Sequence, residues 1–480
     1  MKSPLQSFIY NYSPKKFFDG KGKKVLITMM RPVSEQYIEI IFAKVLKANN
    51  FKPVILFANS EMFLEDYQFR NDYRKYTGWI KYRFLFKLVH NKRLRLYKKV
   101  CRENEIPFKE IPKNKIKKTS LFSQDALNNI QSSFKRIRAG VPGNIPSFIK
   151  KRIHNNIFDT ENFLDKNDYD FCISSHGIYS LWGPVYKKMK GNILIWGGDV
   201  YNKSSLLVSK GPIQLSEPIH IKNKKKIANS SFEKWYQSRS LRRSSDQEAF
   251  DNSNTKFYYY GKIRNMPLDD NLSSIFKKDK TNVVIMPNTL WDGDIYGRNQ
   301  AFDGQIDWIE RTASIKDIRL IIRAHPAEKS LKKYSPKIWD LISNETKKNI
   351  VYFPSDFMLN SYDFAELADV CCIYDSIIGI ELNGLGRDVI ICANNRHYLD
   401  KGWDVPKTFR DYKNRLLNRK LNENRYELAK QSYNRLINGS IYIPFWEGET
   451  NVFIDDLKKD NRWEDEFIKI IMDNYKDDRK

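Results

Sequence analysis

The sequence predicts an α/β fold of two Rossmann-like domains facing a cleft, with a basic helical insertion in the first. Three observations predict it. Short apolar runs of strand length alternate with helical stretches in two separate series, as parallel α/β sheets require. The chain has 480 residues with 41% apolar side chains, enough for two or three cores of ordinary size. A polar tract rich in Lys, Ser and Asn, about residues 200–270, separates the two series.

The first series opens with Lys24 to Met30 (KVLITMM) as a buried strand. A helix from Ser34 to Asn50 follows, with Ser34 at its N-cap, and then a strand from Lys52 to Ala58. Two helical tracts, the second from Leu121 to Asn167, interrupt the alternation, which resumes at Phe171–Ser175 and Asn192–Trp196. The second series runs strand Asn282–Pro287, helix Gln300–Ala313, strand Arg319–Arg323, helix Leu331–Asn344 and strand Ile350–Phe353. A short helix at Phe364–Ala368, a strand at Val370–Tyr374, a helix at Ser376–Leu385 and a strand at Val389–Cys392 complete it. Two helices, near Leu421–Ile437 and Trp463–Tyr475, close the chain. The expected domains are 1–215 (acceptor domain, helical insertion about 60–167), 216–275 (linker and surface helix), 276–440 (nucleotide domain) and 441–480 (helices packing back on the N-terminal domain).

Composition removes several classes. With 10 Trp, 27 Tyr and 29 Phe, the chain lacks the signature of disorder. A membrane-spanning helix needs about 20 largely apolar residues, and no such run is present. No secretory leader is expected, and the odd count of five cysteines without a CxxC pair reads as small buried hydrophobes in a reducing compartment. There is no GxGxxG, no GxxxxGK[ST] and no HExxH, which removes the simple dehydrogenase, P-loop and zinc readings. Two D-x-D triplets, Asp168–Asp170 and Asp292–Asp294, are no more than a chain so rich in Asp shows by chance, and no metal site is expected.

The formal charge of +26, from 83 Lys/Arg and 57 Asp/Glu, is local. Arg70–Lys118 holds 17 Lys/Arg against 4 acids, a net of +13, and Lys222–Arg243 holds 8 against 1, a further +7. In the first segment Tyr73, Tyr76, Ile80, Phe84 and Leu88 recur at helical spacing among the bases. A basic helix with an apolar stripe suits an anionic membrane surface. A polyanion or a plainly solvated helix remain alternatives, and no nucleic-acid fold motif accompanies the patch, so nucleic acid is not expected as a partner.

Three strand ends of the second series point at one place, because ligands of open α/β sheets bind at the carboxyl ends of the strands. The first is Pro287-Asn288-Thr289-Leu290-Trp291-Asp292; the second is Arg323-Ala324-His325-Pro326-Ala327-Glu328; the third is Tyr374-Asp375-Ser376. Ser376 at a helix start suits a phosphate, since unpaired N–H groups and the helix dipole both favour an anion. Arg323 and His325 would neutralise that phosphate or protonate it as it leaves, and Glu381 would accept hydrogen bonds from ribose hydroxyls. The plain alternatives are a capping serine, a satisfied strand-end histidine and a surface glutamate. In the first series the strand ends Ser174-Ser175-His176-Gly177 and Trp196-Gly197-Gly198-Asp199 offer His176 or Asp199 as the base for an acceptor hydroxyl.

RAHPAE at 323–328 and LADVCCIYDSIIGIELNGLGRDVIICA at 367–393 resemble bacterial capsule polysaccharide biosynthesis glycosyltransferases. Trp291-Asp292 and Lys401-Gly402-Trp403 match further positions of that family. The resemblance covers about residues 280–410. It implies a GT-B fold without a bound metal or cofactor, with the nucleotide-sugar as substrate. It also implies His325 on the donor phosphate, Ser376 at the phosphate-binding helix start and Glu381 toward the nucleoside. Two departures stand out: Asp375 precedes Ser376 where relatives often carry a hydroxyl pair, and Asp388 replaces a common proline. The HP motif does not choose among CMP-linked sugar acids, UDP-sugars and CDP-glycerol.

The expected function is therefore glycosyl transfer in capsule or other surface polysaccharide synthesis, from a nucleotide-sugar to a lipid-linked or growing glycan. The protein would be cytoplasmic, peripheral at the inner face of the cell membrane, with other polysaccharide synthesis or export proteins as partners. A sugar-nucleotide 2-epimerase of the same fold and a non-catalytic component of polysaccharide export are the alternatives.

Overall fold

Strands covered by helices on both faces carry near-continuous Val, Ile and Leu instead of an alternating pattern. KVLIT, FCISS and TNVVIM are such runs, and all become inner parallel strands. The computed structural model describes residues 9–29, 38–58, 76–112, 123–137, 147–175, 177, 179–198, 205–212, 216, 218–219, 232–239, 256–265, 275–276, 279–290, 301–330, 337–357, 359–393, 397–399, 402–403, 405–419, 423–442 and 463–474. It divides into two compact units. Met1–Ile137, Gly143–Lys225 and Ile437–Lys480 belong to unit 1, and Lys226–Leu436 form the body of unit 2.

Unit 1 begins β1 (Lys24–Thr28), α1 (Ile38–Ala48), β2 (Lys52–Phe57), α2 (Tyr76–Glu103) and β3 (Phe108–Glu110). It continues α3 (Gln124–Ile137), α4 (Ser147–Asp165), β4 (Phe171–Ser175), α5 (Gly183–Lys188), β5 (Ile193–Gly198) and β6 (Ser205–Ser209). Strands β3-β2-β1-β4-β5 lie parallel in that order, and β6 adds antiparallel to β5. This is the doubly wound order, whose sense reverses between β1 and β4. At that point Thr28 Oγ1 and Ser174 Oγ share a buried hydrogen bond of 2.7 Å.

The span expected as a helical insertion, about 60–167, holds three described helices and one strand of the sheet. The helix α2 is the crossover between β2 and β3, and β3 is a regular member of the sheet. The three-residue strand FKE, half-exposed to exposed at an edge, carries no apolar run that a sequence pattern could register. Among the described side chains of α2, Leu94, Tyr97, Val100 and Cys101 are buried, while Lys92, Arg93, Arg95, Lys99 and Arg102 are exposed together with Leu88 and Leu96. Tyr97 anchors the buried face, with its ring edge-on to Phe57 at 5.3 Å and its hydroxyl donating to buried Glu39 at 2.9 Å. Of the expected apolar stripe Leu88 is 52% exposed, and Leu96 beyond it is 43% exposed. Tyr73 lies outside the described residues.

In unit 2 the chain forms a helix α6 (residues 232–239), the hairpin β7 (Lys256–Tyr259) and β8 (Lys262–Asn265), then β9 (Thr281–Met286), α7 (Gln305–Ala313) and β10 (Ile318–Arg323). A 3₁₀ turn (Pro326–Ser330), short helices α8 (Ile338–Leu341) and α9 (Asn344–Lys347), and β11 (Ile350–Phe353) follow. Next come α10 (Ser361–Leu367), β12 (Val370–Ile373), α11 (Ile378–Gly384), β13 (Val389–Ile391), α12 (Phe409–Leu417) and α13 (Arg425–Asn438). Strands β11-β10-β9-β12-β13 repeat the doubly wound order, now reversing between β9 and β12. Within the stretch expected as linker and surface helix, β7 and β8 extend this sheet, because β7 pairs antiparallel with β11 and β8 with β7. The core gathers around Trp308, Tyr374 and Tyr412, with Trp308 Nε1 donating to the Tyr412 hydroxyl at 3.2 Å.

The last described elements return to unit 1. β14 (Ser440–Tyr442) pairs antiparallel with β6, and in α14 (Trp463–Asn474) Phe467 stacks on Phe42 of α1 at 4.6 Å. All five cysteines are buried and free, with no disulfide. No described helix is long and apolar enough to cross a membrane, and no group of His, Cys, Asp or Glu among the described residues could hold a metal.

Candidate functional site

The carboxyl ends of β9, β10, β11 and β12 surround a pocket of about 430 Å³ in unit 2. Its apolar wall includes Met286, Pro287, Phe357 and Ile378; His325, Lys329, Ser355, Ser361 and Ser376 line the polar side. Arg323, His325 and Ser376, picked out in the sequence from separate strand ends, therefore meet in one cavity.

His325 follows β10 and is partly exposed. Its Nδ1 accepts the Ala327 backbone N–H at 3.1 Å, so the neutral ring carries its proton on Nε2. Arg323 is buried, and its guanidinium donates to the carbonyls of Pro354 and Phe357, the latter at 3.2 Å. Burial lowers its pKa to about 10, which leaves it a cation at neutral pH. Two of its donors thus hold the loop after β11, while Arg323 also lines the pocket and its buried Nε has no hydrogen-bond partner among the described residues. Glu328 turns away from the pocket into the interior, where Oε1 accepts the Ile338 N–H at 3.2 Å. Burial pushes its pKa up to about 7.

Asn288 and Asp375 close the switch point between β9 and β12. Asn288 Nδ2 donates to Asp375 Oδ1 at 2.6 Å, and the Asp375 backbone N–H donates to Asn288 Oδ1 at 3.2 Å. In this reciprocal pair the Asp375 carboxylate is buried and turned onto Asn288. Asn288 is accordingly a framework residue. Thr289 is also buried; its carbonyl receives the Gln305 amide at 3.5 Å. Ser376 lines the pocket without capping α11: the cap position falls to Ile377 and has no side-chain cap bond. The Ser376 carbonyl accepts from the Tyr398 hydroxyl.

Glu381 is corrected more strongly. It is fully buried, one carboxylate oxygen engaged by Arg239 of α6 and the other by the Tyr362 hydroxyl. The structure places a buried ion pair where the sequence suggested a ribose acceptor. The same contact explains why α6 belongs to unit 2: Phe232, Trp235 and Tyr236 pack with it, and Gly384 leaves the space, since a Cβ there would come within 2.8 Å of the Tyr236 ring.

Ser355, Asn360, Ser361 and Lys329 were missed. The Asn360-x-x-Asp363 capping box was readable, and Asn360 Oδ1 does accept the N–H groups of Tyr362 and Asp363 at 2.7 and 3.1 Å. Ser355 Oγ is buried with no hydrogen-bond partner among the described residues.

In unit 1 the strand ends at the switch point also carry buried polar atoms without a described partner: Ser175 Oγ on β4 and Trp196 Nε1 on the neighbouring β5, which face each other in register. Gly177 follows with φ +73°, a conformation that suits glycine, and its N–H donates to the Ser175 carbonyl at 2.7 Å. His176, Asp199, Trp291 and Asp292 lie outside the described residues. Asp170 of the first D-x-D triplet accepts the Lys24 N–H at 2.8 Å, a structural use.

No family model and no curated protein matches the chain. Among solved structures it is similar to KpsC of Thermosulfurimonas dismutans, a beta Kdo 2,7 transferase, at 12% identity and TM-score 0.34, over 71% of this chain and 98% of that one. It is similar to a UDP-GlcNAc 2-epimerase from Neisseria meningitidis at 10% identity and TM-score 0.23, over 87% and 97% of the two chains. The wall teichoic acid polymerase TagF gives 10% identity and TM-score 0.24 over 98% and 93%. These are distant likenesses.

Proposed function

We propose that the chain is a glycosyltransferase of capsule or other surface polysaccharide synthesis, binding a nucleotide-sugar in the unit 2 pocket. The observation that supports this most is the convergence of His325, Ser376 and Lys329 with a buried apolar wall at the switch point of a doubly wound sheet. The apolar wall suits a nucleoside and the polar side suits its phosphates. His325, holding its proton on Nε2, donates to a phosphate oxygen as the glycosidic bond breaks, and Lys329 and the field of Arg323 offset the charge that develops on the leaving nucleotide. The acceptor, a lipid-linked or growing glycan, belongs to unit 1, where His176 and Asp199 remain the proposed bases. The basic exposed face of α2 docks that unit on anionic lipid at the inner face of the cell membrane.

A 2-epimerase of the same fold would invert a carbon of the sugar through acid–base groups beside it and would turn over donor without acceptor. Incubation of candidate nucleotide-sugars with and without glycan acceptor tests the choice. Donor consumption that requires acceptor supports transfer; full turnover of donor alone contradicts it.

A further inference from the structure

A second pocket of unit 2, about 300 Å³, lies beside the edge strand β13, where Asp388 and Asn383 line it together with Trp403, Arg415, Arg419 and Arg425. Asn383, near the carboxyl end of α11, and Asp388, just before β13, mark the amino-terminal end of the sheet, opposite the first pocket. The arginines are anchored by groups outside the lining. Asp411 grips Arg415 through two hydrogen bonds of 2.9 and 2.8 Å. Asp369 accepts from Arg419 through its carbonyl at 3.1 Å and pairs with it through its carboxylate at 3.4 Å, and the Gly386 carbonyl accepts from Arg425 at 3.2 Å. Planar forks held from behind are preorganised for an oxyanion. Asn383 is almost fully buried; its Nδ2 is committed to the Gly379 carbonyl at 2.6 Å, and its Oδ1 accepts nothing from the described residues. Asp388 has no ion-pair partner within 4 Å among the described residues, and burial raises its pKa despite the nearby Arg419 and Arg425. The Trp403 ring, fixed by Nε1–H donation to Ser432 Oγ at 2.8 Å, supplies a flat apolar wall.

Three guanidinium groups line the pocket, two of them backed by the carboxylates of Asp411 and Asp369, and their planar forks suit an oxyanion. Two acceptors, Asn383 Oδ1 and Asp388, call for hydroxyl donors on the same ligand. The volume sits at the lower end of ligand pockets, which span about 300–1,000 Å³. We infer that this pocket is a second binding site, for a hydroxylated anion of monosaccharide size: a sugar acid or a sugar phosphate. The site is separate from the nucleotide pocket and does not depend on its assignment. A single helix links the two, since Ile378 of α11 lines the first pocket and Asn383 the second.

Calorimetric titration of the full chain with glucuronate, glucose 1-phosphate and glucose tests the inference. At least one of the two anions should bind saturably, and which one binds distinguishes carboxylate from phosphate. Glucose should bind at least tenfold more weakly. Arg419→Gln, on an exposed side chain whose loss leaves the core untouched, and Arg425→Gln should each weaken the anion at least tenfold, while His325→Gln should leave it within twofold. Absence of saturable binding by either anion, equal binding of glucose, affinity retained in both arginine variants, or affinity lost in His325→Gln would each overturn it.

Discussion

Replacing Arg239 with methionine removes the cation that neutralises Glu381. The Glu381 side chain is fully buried, whereas Arg239 is 21% exposed. Removing one partner of a buried ion pair costs about 3–5 kcal/mol, because the remaining charge stays desolvated. The Tyr362 hydroxyl still donates to the carboxylate, and the exposed edge of Arg239 leaves a path for water, so the lower end, about 3 kcal/mol, is expected. Arg239→Met combined with Glu381→Gln removes both charges and keeps an acceptor for Tyr362, and its cost should fall to about 1 kcal/mol. Because the chain has two units, a single global transition is the wrong readout. Native-state hydrogen exchange at the β9 and β12 amides reports unit 2 alone. A single variant within 0.5 kcal/mol of wild type, with nucleotide affinity lost instead, would refute the ion-pair reading and return Glu381 to the ligand.

Two further predictions concern Glu328 and the basic helix. The Glu328 carboxyl is raised from 4.5 to about 7, so the folded state holds its proton more tightly than the unfolded state. Its stabilising contribution is then full below about pH 4.5, falls as pH rises through about 7, and amounts to about 3 kcal/mol across that window. Glu328→Gln should flatten this part of the unit 2 stability profile and be the more stable form at pH 8; an unchanged slope would count against the buried carboxyl. Reversing Lys92, Arg93, Arg95, Lys99 and Arg102 to Glu should reduce co-sedimentation with vesicles containing anionic lipid at least tenfold at low salt, and leave binding to neutral vesicles unchanged. Equal sedimentation of both forms would exclude this helix as the docking face.

The inner strands were legible because their residues say one thing. VVIM at 283–286 and LIIR at 320–323 are short continuous apolar runs between helical patterns, and both lie at the centre of their sheet. Of the four described edge strands only the apolar β13 was legible, because pairing on one side only does not demand an apolar sequence: Phe108–Glu110, Lys262–Asn265 and Ser440–Tyr442 are polar or short and take their conformation from a neighbour. The same limit made α2 look like an insertion, since the strand that closes its crossover was invisible. At the site, position along the strand ends was legible and side-chain direction was not. Arg323, His325 and Ser376 line the pocket, while Asn288 and Glu381 spend their polar atoms on Asp375 and Arg239. Nothing local distinguishes a glutamate that faces a ribose from one that meets an arginine 142 residues earlier in the chain.

The central claim is that the pocket at the carboxyl ends of β9–β12 holds a nucleotide through His325 and Ser376. Calorimetric titration of CMP, CDP, UDP and GDP into the wild-type chain and into the His325→Ala and Ser376→Ala variants tests it most directly. The account predicts one-to-one binding of at least one nucleotide, weakened at least tenfold in each variant while the unit 2 exchange profile is preserved. Failure of all four nucleotides to bind, or equal affinity in wild type and both variants, would contradict it.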